Sequence, residues 1–172
     1  MNNLDIKKII ESLIDTFLHA GRVSLDLRKK GLINKIKSDN TPVSNGDLEV
    51  NRILTKKIKK IIPKLPIISE EASENKSLSN LKDFWLIDPI DGTYDYINNL
   101  DEFTINAGLI LDRKPVAGLI YAPAKKRMFY SYGENHAYEL LKGKEVKLNG
   151  NRNYNKDEIK FVSYSNKIKP EI

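Results

Sequence analysis

Near the middle of the chain, residues 84–93 read Phe-Trp-Leu-Ile-Asp-Pro-Ile-Asp-Gly-Thr, an apolar run that stops at acids. The run Phe84–Ile87 has the length of a buried strand, so it should deliver Asp88 at its C-terminal end. The proline that follows fixes its own φ and removes a donor, and Asp91 can then turn back toward Asp88. Two carboxylates and the Ile90 carbonyl would gather hard oxygen ligands around one point, as magnesium requires. The alternative is an ordinary turn whose aspartates are solvated.

Gly92 and Thr93 extend this chemistry toward phosphate. Gly92 lets the backbone come close to a ligand, and Thr93 supplies a hydroxyl where a short helix can begin. Backbone N–H groups at the start of a helix hold anions. The two residues are therefore candidate phosphate-binding groups.

A second apolar run, Pro66–Ser69, also ends in acids, Glu70 and Glu71. Two adjacent glutamates alone are usually solvated, but these follow a predicted buried strand. Two strands that end in acids can build a shared site for two metal ions, which neutralise a phosphate and activate a water.

The rest of the chain divides into a helical and a β-rich part. Apolar residues at helical spacing predict a helix over residues 3–29 and a second from about Asp47 to Ile62, with Asp47 as its N-cap and a polar loop over residues 38–47 before it. After Asn98 the pattern predicts an antiparallel meander. Its strands are Phe103–Leu111, Val116–Tyr121, Met128–Tyr132 and His136–Leu141, and a further strand is expected at Lys160–Tyr164. The expected fold class is α+β, with two N-terminal helices packed on one face of a mostly antiparallel sheet.

The composition restricts the chemistry further. The 172 residues include no cysteine and two histidines, His19 and His136. Disulfides, thiolate zinc sites, iron–sulfur clusters and cysteine nucleophiles are therefore excluded. Any metal must rest mainly on carboxylates.

Net charge and hydropathy indicate the partners and the location. The charge is +6, but the basic clusters Lys56–Lys60 and Lys125–Arg127 are not interleaved with aromatics, so we expect no nucleic-acid partner. No segment reaches the roughly 18 apolar residues of a membrane span. Charges within the N-terminal pattern argue against a signal peptide. We expect a cytoplasmic protein that acts on a small molecule; peripheral association at the inner membrane and the oligomeric state stay open.

Three segments together resemble a known family. Asp88–Thr93 resembles the signature of the inositol monophosphatase superfamily, the magnesium-dependent, lithium-sensitive phosphomonoesterases. Thr41–Asp47 is similar to that family's loop ending in a catalytic aspartate, and Ile68–Glu71 is similar to its metal-binding glutamate motif. A haloacid-dehalogenase-type phosphatase also uses Asp-Gly-Thr, but it needs its two aspartates two residues apart, and here they are three apart.

The resemblance implies a role for each matching residue. It implies two or three magnesium ions, inhibition by lithium, and metal ligation by Glu70, Asp88, the Ile90 carbonyl and Asp91. Asp47 and Thr93 would orient and deprotonate the attacking water. Substrate binding would fall to Gly92, Thr93 and Ser163.

Two further segments narrow the resemblance to one branch. Glu102–Asn106 and Gly118–Pro123 are most similar to the 3'(2'),5'-bisphosphate nucleotidases, which hydrolyse adenosine 3',5'-bisphosphate to AMP and so clear a by-product of sulfate assimilation. Tyr164 and Asn166 stand where that branch carries arginine and histidine. An inositol or other sugar monophosphatase therefore stays open as the alternative.

Family members continue past residue 172 into a C-terminal α/β domain. That domain carries a Trp-Asp motif whose aspartate completes the metal site, and the sole tryptophan here, Trp85, precedes a leucine. We therefore expect residues 1–160 to form the N-terminal metal-binding domain of a layered αβαβα sandwich. Residues 161–172 would begin the missing domain. An inactive truncated remnant or a binding module is the corresponding alternative.

Overall fold

The computed structural model describes residues 3–38, 40–71, 81–141 and 143–149. Its helices are α1 (Asn3–Lys30), α2 (Asn45–Ile61) and α3 (Thr93–Ile97). Its strands are β1 (Asn34–Ile36), β2 (Pro42–Ser44), β3 (Ile67–Ser69), β4 (Phe84–Asp91), β5 (Thr104–Leu111), β6 (Lys114–Ala122), β7 (Arg127–Tyr132), β8 (Ala137–Leu141) and β9 (Lys144–Lys147). The predicted strand Lys160–Tyr164 lies outside the described residues.

Strands β3 to β9 form one seven-stranded sheet in chain order, and β1 pairs with β2 in a separate two-stranded sheet. Strand β3 runs parallel to β4, and each later neighbour is antiparallel. The order follows from short connections, because a tight turn joins antiparallel strands directly whereas a parallel pair needs a longer crossover. The α+β class and the antiparallel meander predicted from the sequence are confirmed.

The two long helices cover one face of the seven-stranded sheet. Leu13 and Phe17 of α1 and Leu54 of α2 are fully buried in the same cluster as Trp85 of β4 and Leu119 of β6. Each buried side chain of this size contributes roughly 1.5–3 kcal/mol of transfer free energy. The apolar residues at helical spacing are therefore buried against the sheet, as the sequence predicted.

The opposite face of the sheet carries a different set of residues. Cross-strand partners point to the same face, so the register places Asp88, Asn106, Ile120 and Phe129 in one row across β4 to β7. Leu86 lies two residues before Asp88 on the same face. The acids of β4 are therefore reached from the side of the sheet away from α1 and α2.

Two predicted boundaries are wrong. Asp47 is not the N-cap of α2: Ser44 is, because Ser44 has extended backbone angles (φ −116°, ψ 168°) and its side chain accepts hydrogen bonds from the Gly46 and Asp47 N–H groups. Strand β4 does not stop at Ile87 but continues to Asp91, with an irregularity between Asp88 and Asp91. The short strands β1, β2 and β9 were not predicted either.

In the described part of the chain, no helix combines the length and the apolar character needed to cross a bilayer.

Candidate active site

The parallel pairing of β3 and β4 brings two acidic strand ends together. Ser69 pairs with Ile87, and the Glu70 N–H donates to the Ile87 carbonyl at 3.1 Å. Glu70 therefore follows β3 at the level where Asp88 occurs in β4. This is the juxtaposition that the two acid-terminated runs predicted.

Asp88 lies at the centre of the negative charge. Burial, together with the charges of Glu70, Asp91 and Asp47 and a hydrogen bond with Glu70, raises the pKa of Asp88 to about 7. Its Oδ1 atom is buried and has no hydrogen-bond partner among the residues that the structure describes. Buried charged oxygens are normally paired or coordinate a metal. Within the described ranges, Asp88 therefore forms no ion pair with a basic side chain.

The strand irregularity moves Asp91 into the same neighbourhood. After Asp88 pairs with Asn106, the register shifts, and Asp91 pairs with Thr104. The Asn106 Nδ2 group donates to Asp91 Oδ2 at 3.1 Å. A bulge of this kind redirects a side chain, and here it leaves Asp91 exposed beside Asp88.

The oxygen atoms of these residues are of the type that magnesium binds, but the side chains are not arranged as a complete ligand set. No three acids or histidines among residues 3–38, 40–71, 81–141 and 143–149 are arranged so that they could hold a metal ion. Glu70 is 47% exposed and its Oε1 lies 3.5 Å from Lys37 Nζ. The donors are nonetheless carboxylate and carbonyl oxygens, the ligands that magnesium prefers, and Asp88 offers an unpartnered one. The ligand roles of Glu70, Asp88, Ile90 and Asp91 stay predictions.

Thr93 and Asp47 meet, although 46 residues separate them in sequence. Thr93 Oγ1 lies 3.2 Å from Asp47 Oδ1 and 2.9 Å from the Ile90 carbonyl. The other oxygen of Asp47, Oδ2, accepts from the Ser44 N–H at 2.8 Å and from the Ser44 hydroxyl at 2.5 Å. Asp47 is almost fully buried. The capping box therefore fixes one oxygen of the carboxylate and leaves the other for Thr93.

Gly92 precedes α3 and has a left-handed backbone, with φ of +90°. A Cβ atom there would lie 2.7 Å from the Glu102 carbonyl oxygen. Glycine is therefore required by conformation and by the close approach of the 102–103 backbone. The sequence predicted close approach of a ligand at this position; the contact seen is with the chain itself.

Lys37 is a site residue that the sequence analysis missed. Its Nζ lies 2.6 Å from Glu71 Oε1, and the Glu71 side chain is only 5% exposed. Burial raises the pKa of Glu71, whereas for Lys37 burial is outweighed by Glu71 and Glu70, which raise its pKa. Glu71 is thus paired rather than solvated, and Glu70 is the freer of the two glutamates. A single lysine in a polar segment gives no sequence signal for this role.

Ser44 and Asn106 also hold predicted site residues, Asp47 and Asp91, although the sequence indicated no such role for either. Ser163, a predicted substrate-binding residue, lies outside the described residues.

A cavity of about 650 Å³ opens beside the acids. Asp91 and Gly92 line it together with the aromatic rings of Tyr94 and Phe129 and the cation Arg127. The Arg127 guanidinium lies over the Phe129 ring, 4.9 Å from its centroid. The volume falls within the range of small-molecule sites.

The fold and these segments agree with a comparison against known families. The chain belongs to the inositol monophosphatase family, whose model matches residues 5–168. The family resemblance read from the three sequence segments is therefore confirmed.

One curated relative is the 3'(2'),5'-bisphosphate nucleotidase CysQ of Aggregatibacter actinomycetemcomitans. It is 32% identical over 142 residues, which cover 81% of this chain and 53% of the relative. The chain spans about half the length of the curated relatives it matches, and the match falls in their N-terminal part.

Two solved structures share the fold. Staphylococcal inositol monophosphatase-1, in an inhibitory complex soaked in 100 mM LiCl, superposes with a TM-score of 0.68 at 19% identity, over 81% of this chain and 52% of that one. An inositol monophosphatase/NADP phosphatase complexed with Mg²⁺ and phosphate gives a TM-score of 0.67 at 20% identity, over 80% and 51%. At these identities the likeness concerns the fold alone.

Proposed function

We propose that this chain carries the metal and water-activating site of a magnesium-dependent phosphomonoesterase. The proposed substrate is adenosine 3',5'-bisphosphate, and the products are AMP and phosphate. The observation that carries the proposal is the buried Asp88 Oδ1 atom, which lies among acids and has no hydrogen-bond partner in the described residues. Asp88 precedes Thr93, which is hydrogen-bonded to Asp47, by five residues. Family membership supports the phosphatase class, and the curated relatives named as bisphosphate nucleotidases support the substrate.

Glu70, Asp88, Asp91 and the Ile90 carbonyl would hold magnesium. When bound, the metal supplies positive charge to the phosphate and lowers the pKa of a water. Two or three ions and inhibition by lithium are what the family resemblance implies for this site.

Thr93 and Asp47 would orient the attacking water and take up its proton. The Thr93 hydroxyl has one hydrogen, so it donates either to Asp47 or to the Ile90 carbonyl at a given moment. When it donates to Asp47, its lone pairs can accept a hydrogen bond from the water, and the Ile90 carbonyl is released for the metal. The water's proton then moves to Thr93 Oγ1 as the Thr93 proton moves to Asp47 Oδ1.

The capping box keeps Asp47 ready for this step. Two donors from Ser44 fix Oδ2, so the carboxylate cannot rotate away from Thr93. Because the capping box holds Asp47 in place, orientation is the larger part of its contribution.

The leaving group would occupy the cavity beside Asp91 and Gly92. Tyr94 offers aromatic surface of the kind on which a base stacks, whereas the Phe129 ring is covered by the Arg127 guanidinium. Arg127, which also pairs with Glu139 at 2.7 Å, offers positive charge for an anionic substituent. The cavity lining also includes the acids Asp95, Asp101 and Glu102, so the choice of a nucleotide substrate rests on the curated relatives rather than on the cavity.

Phosphate release from adenosine 3',5'-bisphosphate and from inositol 1-phosphate, with and without Mg²⁺, tests the proposal. We expect magnesium-dependent release that is faster on the bisphosphate. Faster release from inositol 1-phosphate would overturn the substrate assignment and favour the sugar phosphatase. Binding of the bisphosphate without release from either compound would overturn the enzymatic assignment for this chain and favour a binding role.

A further inference from the structure

Two neighbouring side chains at this site each have a buried oxygen atom for which the described residues supply no hydrogen-bond partner. Asp88 of β4 and Asn106 of β5 are direct cross-strand partners, so their side chains project to the same face of the sheet. The Oδ1 atom of each is buried and lacks a hydrogen-bond partner within the described ranges. A buried, unsatisfied acceptor calls for a positive or hydrogen-donating species, and here two such acceptors lie on paired residues of one sheet face.

The orientation of the Asn106 amide is fixed by its other contact. A carboxylate oxygen accepts hydrogen bonds and has no hydrogen to donate, so the amide must present Nδ2 to Asp91 Oδ2. The two atoms lie 3.1 Å apart. Turning the amide over would set two oxygens against each other. The Asn106 carbonyl oxygen is therefore left over because Asp91 holds the nitrogen.

We propose that Asn106 is a positioning residue of the magnesium site: its Nδ2 holds Asp91, and its Oδ1 accepts from the hydrated cation that Asp88 faces. The inference rests on the proposed function for the identity of the cation. It adds to that function a neutral acceptor, the Asn106 Oδ1 atom. This atom belongs to strand β5, which pairs with the acid-bearing strand β4, and lies outside the three motifs. The same residue thus orients one ligand and supplies an acceptor next to another.

A purely structural role is the competing explanation. In that case the Asn106 amide only bridges the irregularity between Asp88 and Asp91, and replacing it weakens folding to the same extent with or without metal. Groups that orient metal ligands behave differently, since their loss costs about 10- to 100-fold in metal affinity.

The test is Mg²⁺ affinity measured by isothermal titration calorimetry on the full 172-residue chain, without any phosphate ester, together with unfolding temperatures with and without Mg²⁺. Asn106→Ala should weaken Mg²⁺ binding about 10-fold or more. Asn106→Asp keeps the shape and the oxygen but sets a second carboxylate against Asp91. It should lower the unfolding temperature of the metal-free chain and increase the rise that Mg²⁺ causes.

Ser131→Ala is the matched control, because Ser131 is a partly buried polar residue on the same sheet face, two strands away. It should leave Mg²⁺ affinity within about 2-fold of wild type, well short of the loss expected for a residue that orients a ligand. If the wild-type chain binds Mg²⁺, Asp88→Asn does not, and both Asn106 variants bind like wild type, the inference about Asn106 is overturned while the proposed metal site stands. If the wild-type chain binds no Mg²⁺, the proposed function fails and this inference fails with it.

Discussion

At the scale of single residues, substitution of Thr93 gives a sharp test of the proposed chemistry. Its hydroxyl is shared between Asp47 and the Ile90 carbonyl, so it connects the proposed base to a proposed metal ligand. No other side chain in the described part of the chain is seen to bond to both.

Thr93→Ala should lower kcat by about 100-fold or more and change KM little, because the hydroxyl acts on the water and not on the substrate. Thr93→Ser keeps the hydroxyl and should retain most of the activity. Steady-state phosphate release measures both. An alanine variant within a few-fold of wild type would remove Thr93 from the mechanism.

Asp47→Asn separates the base from its role in the helix cap. The amide oxygen can still accept from Ser44, but the amide nitrogen then faces Thr93 and cannot take up a proton. We expect a loss in kcat of about 100-fold with a loss of no more than about 1 kcal/mol in unfolding free energy, the usual scale of a cap. Kinetics and denaturant unfolding on the same sample measure the two quantities. Full activity in this variant would show that Asp47 acts only as the N3 residue of the α2 capping box.

At the scale of the secondary-structure elements, backbone geometry determines where the site residues lie. The Gly92 position starts α3 in the left-handed region and lies against the 102–103 backbone. That contact fixes how the end of β4 meets the start of β5.

Gly92→Ala should destabilise the chain by more than Gly31→Ala. Both glycines have positive φ (+90° and +97°), but a Cβ at Gly31 meets nothing within 4 Å, whereas one at Gly92 meets the Glu102 carbonyl at 2.7 Å. The left-handed conformation alone costs an alanine about 1–2 kcal/mol, and the clash adds to it only at Gly92. Denaturant unfolding measures the difference between the variants. Equal losses would mean that the 102–103 backbone yields without cost.

The elements also show where the sequence was sufficient and where it was not. Helix α1 was predicted to within a residue because the period of its apolar face, with Leu13 and Phe17 buried, has one interpretation. The N-cap of α2 was misplaced because serine and aspartate are both good caps, and only the extended backbone at Ser44 distinguishes them. Strand β4 was ended too early because its apolar run stops at Asp88, whereas the pairing resumes at Asp91 after an irregularity. Pro89 lies within that irregularity, where no donor is needed.

The candidate site was predictable where its residues fall in the three motifs, as for Asp47 and Thr93, which lie 46 residues apart in sequence. The acids after β3 and in β4 were found as motifs. No role at the site was predicted for Asn106, the last residue of the branch-like segment Glu102–Asn106, or for Lys37. Each joins the site through long-range pairing: Asn106 from the opposite strand and Lys37 across 33 or more residues to the glutamates. A single asparagine in a strand carries no signal until the register of that strand is known.

At the scale of the whole molecule, the seven-stranded sheet has two unlike faces. The helices cover one face. On the other, Leu86 and Ile120 are each 49% exposed. Exposed apolar surface on a sheet favours association between proteins.

The 172-residue chain should therefore self-associate, and Leu86→Lys together with Ile120→Lys should reduce the association. Leu100→Lys is the control, because Leu100 is similarly exposed (48%) but lies in the loop after α3. Sedimentation velocity over a concentration series measures the effect. A wild-type chain that remains monomeric at high concentration would contradict the prediction.

The central claim is that Asp88 and its neighbouring acids bind magnesium. Calorimetric titration of Mg²⁺ into the wild-type chain and into Asp88→Asn tests it most directly, since the substitution removes the charge and preserves the shape. We predict a saturable heat of binding for the wild type and its loss in the variant. The same binding in both, or none in the wild type, would contradict the claim.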